Sequence, residues 1–67
     1  MVDTGKVINV ANEGSKLIVD IEFMDNTKRT VVLPDGDINK YKGKYVICGI
    51  DSDENTAILE IVDNDLV

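Results

Sequence analysis

Between Lys16 and Met24 the chain alternates: Leu17, Val19, Ile21 and Phe23 fall on one side of an extended backbone, and Lys16, Asp20 and Glu22 on the other. Successive strand side chains point to opposite faces, so this period of two predicts an antiparallel strand with one face buried and one wet. Ile18 and Met24 are the exceptions. Four further segments read the same way: Lys6 to Ala11, Lys28 to Leu33, Lys44 to Asp51 and Thr56 to Val62. Turn chemistry separates them. Asn12-Glu13-Gly14-Ser15 and Asp25-Asn26-Thr27 supply residues that tolerate left-handed backbone or bond their own chain, and Pro34-Asp35-Gly36 places proline where φ must be near −65°. Asp37 is positioned to cap a single helical turn over Ile38 to Lys42, ended by Gly43. Ser52 to Asn55 reads as the last turn, and Asp63-Asn64-Asp65 should fray. The expected architecture is all-β: one domain over residues 1–67, a five-stranded antiparallel barrel with a short helical turn between strands 3 and 4.

Nothing covalent or metallic holds such a fold together. The one cysteine, Cys48, has no intramolecular partner, and a chain with no histidine offers poor zinc ligation. A chain of 67 residues buries only about 60 % of its unfolded surface, so the core must be small. The first residues hold neither a charged leader nor an apolar run, and no stretch is long enough to span a membrane. A soluble, cytoplasmic protein is expected, with no membrane contact.

The formal net charge of −6 is unevenly placed. Residues 1–50 hold seven acids and all seven bases, while the last seventeen residues carry Asp51, Asp53, Glu54, Glu60, Asp63 and Asp65 with no base. Strands 4 and 5 differ from the others in a second way: Val46, Cys48 and Ile50 face Tyr45 and Ile47, and Ala57, Leu59 and Ile61 face Ile58 and Val62, so both are apolar on both sides. Barrel closure covers two-sided strands; a homodimer interface is the other way to do so.

Four constellations are candidates for chemistry. Lys40-Tyr41-Lys42-Gly43-Lys44-Tyr45 interleaves bases with aromatics, as a surface that neutralises phosphates and stacks bases does; otherwise it is a solvated loop with its tyrosines packed on the barrel end. Asp51-Ser52-Asp53-Glu54-Asn55 matches the first ligand positions of a calcium loop. Thr56 then stands where that loop needs glycine and Val62 where it needs a bidentate glutamate, so a simple acidic hairpin turn is expected. Asp20 and Glu22 share a strand face about 7 Å apart, a spacing that paired-carboxylate catalysis uses, but a small barrel offers little wall to raise one pKa. Cys48 has no histidine to activate it and reads as a small buried apolar residue.

Thr4-Gly5-Lys6-Val7-Ile8-Asn9-Val10, followed after a turn by Leu17-Ile18-Val19-Asp20-Ile21, resembles the opening hairpin of KOW-type and other SH3-like barrels. That resemblance implies binding of RNA, of ribosomal or transcription proteins, or of peptides. The helical turn between strands 3 and 4 is instead where an OB-fold carries its helix.

The expected function is non-catalytic: a protein-interaction module, an adaptor or small acidic inhibitor, whose hairpin residues Asp51, Asp53, Glu54 and Glu60 meet a basic surface on a partner. The alternatives are an oligonucleotide-binding barrel using Lys40, Tyr41, Lys42, Lys44 and Tyr45, and a homo-oligomeric structural component. No cofactor or catalytic residue is expected, since the chain offers no activated nucleophile and no glycine-rich phosphate loop.

Overall fold

The computed structural model describes residues 1–62, and Asp63-Asn64-Asp65, expected to fray, lies outside them. Five strands form one antiparallel sheet: β1 (Val2–Glu13), β2 (Lys16–Phe23), β3 (Lys28–Leu33), β4 (Tyr45–Ile50) and β5 (Thr56–Val62). Their spatial order is β3-β2-β1-β4-β5. The first three strands form a meander, and the fourth returns past a long connection to lie beside the first, which is a Greek key. The sheet curls into a half-barrel rather than closing: β3 and β5 form its two edges and share no strand pairing among the described residues.

The core lies on the concave side. Leu17, Val19 and Ile21 of β2 are fully enclosed and Phe23 nearly so, joined by Val7, Val31, Val46, Cys48 and Ile50. Each such side chain contributes about 1.5–3 kcal/mol by leaving water. Val10, Leu33, Ile38, Tyr41, Ile58 and Ile61 pack around the edge of this cluster. Strand 5 therefore lines the core only with half-buried residues. The two-sided burial expected of strands 4 and 5 is not reached within one chain, because the sheet stops short of wrapping over its own outer face.

Strand 1 is twice as long as its sequence signal, running from Val2 rather than Lys6. Gly5 hides it, since glycine weakens an ordinary strand. Here a Cβ at Gly5 would lie 2.5 Å from Ile21 Cγ2 and 3.0 Å from Phe23 Cδ1, so only glycine lets β1 lie this close to the core side chains of β2. A bulge between Val7 and Asn9 then bends the strand. Before the bulge β1 pairs with both β2 and β4, and beyond it with β2 alone.

The connection from β3 to β4 holds the predicted helical turn, α1 (Ile38–Tyr41). The Asp37 carboxylate accepts from the Asn39 amide at 3.0 Å, capping it, and Gly43 at φ +72° carries the chain out of it.

Candidate functional site

The β4–β5 turn is built around one carboxylate. Asp51 Oδ1 accepts from the backbone amides of Asp53 and Asn55, each at 2.9 Å, and Oδ2 accepts from Asn55 Nδ2 at 3.1 Å. Backbone bonds from Asp51 N to Asn55 O and from Glu54 N to Asp51 O complete the loop. The Asn55 amides, followed by that of Asp53, hold the Asp51 carboxyl below its ordinary range. Asp51 thus organises the hairpin, with both oxygens turned into it. The calcium-loop likeness is a turn in which the chain's own amides take the positions of an ion.

That organisation sets Asp53 and Glu54 outward. Both are exposed, and Glu54 has a left-handed backbone at φ +66°, uncommon for a residue that is neither glycine nor asparagine. Arg29 of β3 reaches across the open seam of the half-barrel: Nη1 donates to the Glu54 carbonyl at 3.1 Å, and Nη2 lies 4.0 Å from Glu54 Oε1. The Glu54 side chain remains 78 % exposed in this contact. Sequence reading missed Arg29 because a base on an edge strand looks like any solvated residue; only the curl of the sheet brings it to the turn. Glu60 is exposed on the outer face of β5, opposite Ile47, roughly 13 Å along the strand from Thr56 at about 3.3 Å per residue. The four acids therefore do not form one cluster: two crown the turn, one is internal to it, and one lies further along the face.

The basic segment is divided more sharply. Tyr41 is half-buried against the core edge with the Lys40 ammonium 5.9 Å from its ring centroid, while Lys40 and Lys42 are exposed at α1. Tyr45 lies on the outer face of β4, paired with Lys6 of β1, whose Nζ is 5.9 Å from its ring. Lys44 is half-buried, and its carbonyl accepts from Val7 N at 2.9 Å. The two tyrosines thus occupy different surfaces, and each ring already has a lysine over it.

Asp20 and Glu22 are neighbours on the outer face of β2. Asp20 accepts from Thr30 Oγ1 at 2.8 Å and Asn9 Nδ2 at 3.4 Å, and Glu22 lies between Lys6 and Lys28 in the strand register. They form a polar cross-strand lattice. Cys48 is fully buried; burial pushes its thiol pKa up, with the Asp3 carboxylate adding to the shift, which is the opposite of what a nucleophile needs.

On the outer side of β1, β4 and β5 the surface changes character. Val2 is 65 % exposed and Leu59 61 %, with half-buried Ile47 beside them. The register shift between Ile47 and Cys48 makes Leu59 the extra residue of a second bulge, and its side chain lies over Gly49. No helix among the described residues is long and apolar enough to cross a membrane. No protein family, curated protein or solved structure matches the chain.

Proposed function

We propose that this chain is a non-catalytic protein-interaction module that meets a basic partner surface through its acidic β4–β5 hairpin. The supporting observation is Glu54: a charged, 78 % exposed side chain on a backbone conformation that glycine or asparagine would adopt about 1 kcal/mol more easily. Its contact with the Arg29 guanidinium, at 4.0 Å with the carboxylate largely in water, contributes little to folding. The turn is tied together by the Asp51 carboxylate, its own residues include no base, and charge complementarity accelerates encounter with an oppositely charged partner.

The scaffold reads best as OB-like. A five-stranded, partly open Greek-key barrel with its helical turn between strands 3 and 4 fits that description better than an SH3-like one. OB-folds that bind oligonucleotides use the β2–β3 face and the loops after β1 and β4. In this chain that face balances Asp20 and Glu22 with Lys16 and Lys28, and the latter loop is the acidic turn, which suits a cationic protein surface better than phosphate. Exposed Tyr45 with Lys6 beside it is the observation that favours oligonucleotide binding as a second reading. Titration with short RNA and single-stranded DNA at low salt tests that reading, and unmoved Tyr41 and Tyr45 resonances would remove it.

The main reading is tested by adding an unstructured Lys/Arg peptide to the isotope-labelled protein. Shifts should gather over residues 51–60, the association rate should fall as salt rises, and neutralising Asp53, Glu54 and Glu60 together should abolish the shifts. Asp51 is left intact, since its loss would disturb the turn itself. Binding that is indifferent to salt or to the triple neutralisation would refute the proposal.

A further inference from the structure

We propose that the free edge of β1 beyond its bulge, together with the pocket between that edge and α1, binds an extended peptide segment of a partner that carries a large aliphatic residue beside an acidic one. The site lies at the end of β4 opposite the acidic turn, and it stands whether or not the hairpin reading holds. Over Val2–Lys6, β1 pairs with β4, but β4 begins only at Tyr45, so from Asn9 to Glu13 the second side of β1 has no backbone partner among the described residues. Alternate residues there present N–H and C=O groups at strand spacing. Helix α1 lies beside this edge, and the space between them is a pocket of about 480 Å³. Its apolar wall is Ile8, 46 % exposed, with half-buried Val10 and Ile38 at the margin of the core. The register step from Val7↔Ile21 to Asn9↔Asp20 makes Ile8 the extra residue of the bulge, a device that re-aims a side chain.

Three features select the occupant. Unpaired strand groups are matched by a backbone whose own donors and acceptors alternate and are free; a helix has bonded its own internally, and a phosphate offers acceptors only. The apolar wall takes an aliphatic side chain of leucine or isoleucine size. Lys42 is the one charged side chain lining the pocket, it is exposed, and it belongs to no ion pair among the described residues. Residues 38–50 contain Lys40, Lys42 and Lys44 and no acid, so an acidic residue beside the aliphatic one completes the match. A second copy fits less well, because its own α1 walls the same edge and the two walls would meet before the strands came within pairing distance.

The test adds eight-residue peptides to the isotope-labelled full chain: a Thr/Val-rich parent with a central leucine followed by glutamate, a form with that leucine changed to asparagine, a form with the glutamate changed to lysine, and two N-methylated parents, each blocked along one hydrogen-bonding edge. The parent should shift Ile8, Val10 and Ile38 and slow amide exchange within residues 9–13. The asparagine form should bind at least tenfold more weakly and the lysine form at least threefold, and one N-methylated parent should fail while the other binds. Lys42→Glu, at an exposed position, should reverse the preference between the glutamate and lysine peptides. Equal binding of the leucine and asparagine forms, or of the two N-methylated parents, would overturn the proposal. So would the absence of shifts with every peptide, and the hairpin reading, probed at residues 51–60, would be untouched. Sedimentation of the free chain at twice its 7.4 kDa, reverting to monomer in Ile8→Ser, would give the edge to a second copy. Shifts at Ile8 and Ile38 in peptide-free Leu66→Ser would give the pocket to the chain's own residues 63–67, and either result overturns the partner peptide.

Discussion

Strands β2 and β5 are both rich in aliphatic residues, yet they do different things in the fold. The inward residues of β2 are enclosed, because β2 sits between β1 and β3 and the whole curl of the sheet closes over it. Strand 5 is an edge: Ile58 and Ile61 reach the core only in part, and Leu59 turns outward over Gly49. Their outer faces differ as well. That of β2 holds two polar rows, Lys28–Glu22–Lys6 and Thr30–Asp20–Asn9, beside one apolar row, Val32–Ile18–Ala11, whereas that of β4 and β5 is mostly apolar, with Glu60 beside Ile47. On one half most outer polar groups are paired within the chain, and on the other the outer face is mainly apolar.

The largest effect that can break this contrast is a truncation in β2. Ile21→Ala should cost about 2–5 kcal/mol in urea unfolding, enough to unfold much of a domain this small, while Ile61→Ala should cost less than half as much. Equal losses would mean that β5 is as much core as β2. Gly5→Ala comes next, at about 1–3 kcal/mol, since a methyl 2.5 Å from Ile21 Cγ2 must displace the centre of the sheet. A neutral Gly5→Ala would show that β1 and β2 can separate without loss.

Glu54→Gly should act in the other direction, stabilising the fold by about 0.5–1 kcal/mol by relieving its left-handed backbone while weakening binding of a basic peptide. Loss of both stability and binding would make Glu54 a structural residue like those of β2. The smallest effect is one of pH. The Asp51 carboxyl is held below its model-peptide value of 3.8, so it contributes stability above that pH and loses the contribution as pH falls through its lower folded value. The acid limb of the stability curve below about pH 4 should therefore flatten in Asp51→Asn, whose amide oxygen still accepts some of the turn's hydrogen bonds. Asp25 gives the β2–β3 turn the same signature through Thr27, its side-chain hydroxyl first and its backbone amide second, so Asp25→Asn is the matching control in the other half.

What the chain's letters determined by themselves was local and periodic. The alternation at Leu17, Val19, Ile21 and Phe23, the turn residues, the Asp37 cap and the crowding of acids beyond residue 50 each depend on neighbours a few positions away, and β2, β3, β5 and α1 lie where those signals put them. The tertiary structure alone decided what depends on distant neighbours. It made Gly5 a strand residue because Ile21 and Phe23 occupy the space of its missing side chain. It brought Arg29 to Glu54 across the seam and turned the Asp51 oxygens into the hairpin. It also left Val2 and Leu59 in water, because a curled sheet of five strands has a concave side it can fill and a convex side it cannot.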